Sequence, residues 1–282
     1  MNISMFSRSG LQMSVEGEAS SVLSSTPAGQ KPADIGQAFN ATQRRFGENF
    51  DCSTHAAVIK LMMMTFGQHP AGMFNALAPS GNGYDITMKD DFKVHLSRQE
   101  VEQATQAARF KGEDHAALKD ANFVFAAFVK RKQQAEGYPT FEAALAKTLE
   151  GETIQRCLQG MGVFGLAQFV PSSDMEAKGT MGLMGTHSRG AALVMDGVAH
   201  HPREQRKVDP SYGYVLFDDK QWPAVDGKRV SHVAAGTRPE HIWAGFYQGG
   251  EGNCVTVSAI KAAIIRFGQG PQGIYRQIQL TP

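Results

Sequence analysis

The sequence predicts an α+β protein in which a helical half is followed by a small antiparallel sheet. Three observations carry that prediction. Helical periodicity dominates from about residue 54 to 150, short apolar runs bounded by turn residues follow Gly179, and one cysteine-headed helix motif occurs twice, at 50–78 and 251–279. The chain is accordingly divided into a leader over residues 1–38, expected to be disordered, and one α+β domain over 39–282 that contains both copies of the motif.

The leader holds eight serines in its first 25 positions, followed by Pro27, Gly29 and Pro32. Such a composition buries too little apolar surface to offset the entropy of ordering. It has no continuous apolar core of the kind a Sec signal peptide needs. Thr54 through Phe66 carry apolar side chains at helical spacing, with Gly67 placed as a stop. Residues 84–96 alternate and predict a strand pair turning at Asp90-Asp91. Ser97 and Glu100 form a capping box that opens a helix to about Arg109. Helices over about 114–135 and 140–150 follow, the second entered at Thr140 and ended at Gly151. Ala191–Met195 and Tyr212–Phe217 are expected as adjacent strands of the sheet.

Composition excludes several function classes. Lysine and arginine number 28 against 27 acidic residues, so no global field draws the chain to nucleic acid. The basic run Lys130-Arg131-Lys132 is expected on a solvated helix face. No apolar stretch reaches the roughly 20 residues that span a bilayer. Cys52, Cys157 and Cys254 are too few for a disulfide framework. No CxxC or HExxH occurs, so no metal or other cofactor is expected. The glycine-rich segment 160–165 has GxGxxG spacing and 179–185 does not, but neither follows a clear strand into a helix, so no nucleotide site is expected.

The repeat is more informative. At an offset of 201, Ile59, Lys60, Phe66, Gly67, Gln68, Pro70 and Gly72 match Ile260, Lys261, Phe267, Gly268, Gln269, Pro271 and Gly273. These matches cluster as FGQxPxG, while Cys52 and Cys254 fall one residue out of step. A duplicated packing helix would need the glycines and the proline for backbone reasons. A duplicated catalytic helix would need the cysteines, because a helix N-terminus lowers a thiol pKa and offers N–H groups to an oxyanion. Cys157 lies in a helical run and reads as core, as does the cluster Met62-Met63-Met64.

Gln248-Gly249-Gly250-Glu251-Gly252-Asn253-Cys254 resembles the nucleophile motif of papain-type (clan CA) cysteine peptidases, and of calpain-like enzymes in particular. The resemblance implies a two-lobe papain-like arrangement, with Gln248 completing an oxyanion hole for Cys254. Cys52 is also a candidate nucleophile, since it precedes helices and then His187, the strand Ala191–Met195 and Asp209, in the family's order. His187 would be the base and Asp209 its orienting carboxylate. The same pair could serve Cys254 in a permuted arrangement. Two departures stand out. Gly190 holds the place where the family's histidine usually sits, and Cys52 has no glutamine upstream at the required distance, with only Asn49 and Asp51 nearby. His200, His201 and Asp196 are alternative partners.

The leader, with Ile3, abundant serine and no acid before Glu16, resembles the export leaders of type III secretion effectors of plant-pathogenic pseudomonads. That implies delivery into a host cell, a host protein as substrate or target, and a secretion chaperone as a partner of the leader. The expected activity is that of a thiol protease or glutamine deamidase. The alternative is a non-enzymatic effector whose decayed site binds a host protein.

Overall fold

In the computed structural model, the described residues are 22–186, 190–200, 205–208, 210–218 and 254–267. They form a mixed α and β structure with two antiparallel sheets. Short helix α1 (Ile35–Ala38) leads to α2 (Ser53–Phe66) and α3 (Pro70–Met73). A three-stranded sheet follows, β1 (Ala76–Ser80), β2 (Gly83–Thr87) and β3 (Lys93–Ser97), in that spatial order. Helices α4 (Arg98–Ala108), α5 (His115–Glu136), α6 (Phe141–Thr148) and α7 (Ile154–Gly160) complete the helical part. The second sheet contains β4 (Ala167–Pro171), β5 (Met181–Gly185), β6 (Ala191–Met195), β7 (Val198–His200), β8 (Gln205–Lys207) and β9 (Tyr212–Leu216). Its order is β4-β9-β5-β6-β7-β8. Helix α8 (Cys254–Phe267) is the last described element.

Local chemistry accounts for many boundaries. The Ser97 hydroxyl accepts from Glu100 N at 3.2 Å, and Glu100 Oε2 accepts from Ser97 N at 2.9 Å, so both halves of the capping box form. Asp114 and Thr140 cap α5 and α6 through Ala117 N and Ala143 N. Asp196 and Gly197 turn β6 into β7 with φ of 51° and 76°, as a two-residue hairpin loop with the strands' twist requires.

Helix α2 lies between the two halves. It contacts α5 and α7 on one side and β5, β6 and β9 on the other. Every residue from Thr54 to Met63 is buried, including Met62 and Met63. A helix enclosed all round needs apolar residues on every face, and this one has them. Leu183, Leu193 and Leu216 bring the six-stranded sheet into the same core as α2. Val170, Met184, Ala192, Val194 and Val208 gather into a second, smaller core around Met175.

Each residue of the FGQxPxG run has a backbone or packing task here. Gly67 has φ 99°, and a Cβ there would lie 2.5 Å from Gly29 Cα. Gln68 is buried; its amide donates to Thr26 Oγ1 at 3.0 Å and to Asp120 Oδ2 at 3.4 Å. Pro70 opens α3 at its first position, where its missing N–H costs nothing. A Cβ on Gly72 would overlap the Phe66 carbonyl.

Three expectations are corrected and one further strand is added. Residues 22–38, assigned to the leader, belong to the folded part. Ser24 donates from N and Oγ to Asp120, at 3.0 and 2.5 Å, Gln68 N bonds the Gln30 carbonyl at 2.7 Å, and Ile35 is buried. A buried carboxylate needed those donors. Residues 1–21 lie outside the described residues. Ala191–Met195 and Tyr212–Leu216 are not neighbours, because β5 runs between them. That strand comes from the glycine-rich segment 179–185: Gly182 makes room for Met175 and the Tyr214 carbonyl, as Gly213 does for Leu183 O. Strand β1, with Pro79 inside it, also escaped the pattern; it is an edge strand, where a missing N–H is tolerated.

The basic run, finally, is not a solvated face. Lys130 pairs with Glu100 at 2.7 Å, Arg131 pairs with Asp90 at 2.7 Å and covers the Phe92 ring, and buried Lys132 pairs with Glu152. Arg156 Nε bonds the second oxygen of Glu152 at 3.0 Å, so α5 is tied to α7 through a shared carboxylate.

The Gly-Pro turn gives a direct test. Gly67→Ala and Gly72→Ala are expected to lower the unfolding free energy by about 1–3 kcal/mol each. Gly165→Ala, where a Cβ meets open space, is expected to stay within about 0.5 kcal/mol of wild type. Urea unfolding followed by circular dichroism measures all three.

Candidate functional site at the head of helix α2

Cys52 occupies the N-cap position of α2, with no side-chain cap bond of its own. Its carbonyl accepts from Ala56 N at 3.0 Å. The orphan donor at the helix start is met instead by Asp51, whose Oδ1 accepts from Ser53 N at 2.8 Å and Ser53 Oγ at 2.5 Å. Asp51 is itself held by a bond from its N to the Leu149 carbonyl, at 2.8 Å.

The sulfur is enclosed. Cys52 is 0% exposed, and burial, seconded by the Asp51 carboxylate, pushes its thiol up to about 12. A helix N-terminus favours thiolate, but here the loss of hydration outweighs it. At neutral pH this cysteine is a protonated core thiol. Cys157 is also fully buried, in α7, and its thiol is raised well above the usual value, first by burial and then by the nearby Glu152. It behaves as the core residue its helical run predicted.

The β5–β6 connection meets the same helix start. Thr186 N donates to the Gly190 carbonyl at 2.8 Å, and a Cβ on Gly190 would overlap Ser53 Oγ. The residue before β6 is therefore kept small by its contact with the Ser53 side chain at the start of α2. His187 lies outside the described residues, as do Asp209, Gln248 and His201. Cys254 is the first residue of the fourteen-residue helix α8, and its side chain lies outside the described set.

The alternative partners are placed as follows. Asp196 is a hairpin residue whose carboxylate accepts from Gly179 N at 2.5 Å, which is a structural task. His200 ends β7 and lines a cavity of about 30 Å³ with Ser53, Asn40 and Lys60. Lys60 is buried there and donates to the Gly36 carbonyl at 3.0 Å and Asn40 Oδ1 at 2.8 Å. Both acceptors are neutral, and burial lowers its pKa to about 8.

Sequence reading passed over His55. It stands three residues after Cys52 and is fully buried, with its ring edge-on to Phe128 at 4.9 Å and Phe125 at 5.4 Å. Among the described residues, neither ring nitrogen has a hydrogen-bond partner. Burial, with a smaller contribution from the Lys132 charge, lowers its pKa from 6.5 to about 3. The signal in the sequence was a histidine inside a predominantly apolar helix.

No protein-family model, curated protein or solved structure matches this chain. Among the described residues, no helix is long and apolar enough to cross a membrane, and no group of three or more His, Cys, Asp or Glu side chains is placed to hold a metal ion.

His55 sets a pH dependence with a definite sign. Its folded-state pKa lies below the unfolded value of 6.5, so the unfolded chain takes up the proton first. The contribution is complete above pH 6.5 and is lost as pH falls toward the folded value, at up to about 1.4 kcal/mol per pH unit. Urea unfolding between pH 4 and 7 is expected to show this decline, and His55→Leu to lose that share of it. An equal slope in the variant would contradict a neutral, enclosed imidazole.

Proposed function

We propose that this chain is a secreted effector on a papain-like two-lobe arrangement, in which the Cys52 copy has lost hydrolase chemistry and acts by binding a host protein. One observation carries the reading. The Cys52 sulfur is wholly buried and its thiol is held at about 12, so it has neither access to a substrate carbonyl nor thiolate character. Support for the papain-like arrangement comes from the position of α2 between a helical half and an antiparallel sheet. Loss of the chemistry is further supported by Gly190, which precedes β6 against Ser53 where such enzymes usually place their histidine. The delivery route rests on the composition of the leader.

A second reading is favoured by α8. Cys254 begins a fourteen-residue helix, where the unpaired N–H groups of the first turn favour a thiolate, and Gln248 precedes it by the family's spacing. In this reading the Cys254 thiolate attacks a peptide or glutamine amide carbonyl and forms a thioester. His187 takes the thiol proton and gives it to the leaving amine, and Asp209 fixes the imidazole tautomer.

Alkylation by iodoacetamide as a function of pH separates the two. In the binding reading, wild type, Cys52→Ala, Cys254→Ala and His187→Ala label slowly, with an apparent pKa near or above the ordinary 8.5, and Cys52 reacts only after denaturation. A fast thiol lost in Cys254→Ala and slowed in His187→Ala would establish the hydrolase reading. Fast native labelling lost in Cys52→Ala would overturn the assignment of Cys52 as a core thiol.

A further inference from the structure

A cavity lies away from the head of α2, against its last turns. It measures about 560 Å³ and is walled by Leu61 and Met64 of α2, Met181 of β5 and Leu216 of β9. Leu61 and Leu216 are buried, so the floor is apolar. A cleft of this volume is within the range of small-ligand sites. Two opposite charges also line it: Lys31, from the segment pinned by Gln30 and Gln68, and Asp174, from the turn between β4 and β5.

The partners of those two charges are informative. Lys31 makes no hydrogen bond or ion pair among the described residues, and Asp174 accepts only one bond, from the neighbouring Ser173 hydroxyl at 3.3 Å. They do not pair with each other, although they line one cleft. Asp218 also lines it but has a partner of its own. An ammonium and a carboxylate held apart over an apolar floor complement a ligand with the reverse charges at its ends and hydrocarbon between.

We infer that this cleft binds a short apolar peptide with both ends free. The peptide ammonium meets Asp174, its terminal carboxylate meets Lys31, and its side chains cover Leu61, Met64 and Met181. Both protein charges are at the surface, so binding is weak and falls as salt rises. This inference stands independently of whether Cys52 or Cys254 is reactive.

The test uses the full chain labelled with ¹³C at methionine methyls, with Met64 and Met181 assigned through their leucine variants. The probes are Leu-Leu, N-acetyl-Leu-Leu and Leu-Leu-amide at low salt. Leu-Leu is expected to shift the Met64 and Met181 signals saturably, and removal of either terminal charge to weaken binding by about fivefold. In Asp174→Asn, acetylation is expected to make no further difference, and in Lys31→Gln amidation to make none. Both are surface substitutions that leave the fold intact. No saturable shift, equal affinity of the three probes on wild type, or charge dependence unchanged in both variants would overturn the assignment.

Discussion

The enclosure of α2 on all sides is the constraint on which the rest of the structure depends. Ten consecutive residues of this helix are buried, between α5 and α7 on one side and β5, β6 and β9 on the other. Its own polar groups then have to be accommodated without water. Lys60 is given two neutral oxygens. His55 is given none and is held as a neutral ring between phenylalanines, because a charged imidazole would cost more than an unpaired one. The Cys52 thiol follows the same logic. What a helix N-terminus offers a thiolate is smaller than what a dry surrounding takes away.

The internal repeat acquires a specific meaning from this. Four of the seven residues that the two copies share are, in the first copy, those that let the chain leave the helix and turn: a positive-φ glycine against Gly29, a buried glutamine joined to Asp120, a proline at the start of α3 and a glycine against the Phe66 carbonyl. The cysteines are the part that does not align. The likeness between the copies therefore concerns how a helix is seated more than what its first residue does. This is why the burial of Cys52 bears on that copy alone.

Two sets of polar contacts hold the layers around α2. Lys130, Arg131 and Lys132 reach three different carboxylates, on α4, on the β2–β3 turn and before α7. At the other end of α2, Ser24, Thr26 and Gln30 bind Asp120 and Gln68 and so draw residues 22–34 across the C-terminal turn. Removal of one partner from the buried Lys132–Glu152 pair or from the Gln68–Asp120 contact leaves a charge or donor without water, which makes these two contacts matter more than their number implies. The second set also brings Lys31 to the edge of the large cleft, so the ordering of this segment and the composition of the cleft are linked.

What the sequence determined by itself was the mixed class and the elements with local causes. The Ser97–Glu100 box, the cap at Thr140, the Gly67 stop and the helical reading of Cys157 each depend on residues within one or two turns, and each is found in place. What only the tertiary structure decided were properties set by distant neighbours. Strand β5 is a strand because its glycines let Met175 and β9 approach, and nothing in GTMGLMG says so locally. The basic run is an anchor because its carboxylates arrive from three other elements. Cys52 has the local sequence of a reactive thiol and the surroundings of a core residue. A helix terminus is written in the chain next to it, whereas exclusion of water is made by segments far away in sequence, and for this thiol the second effect is the larger.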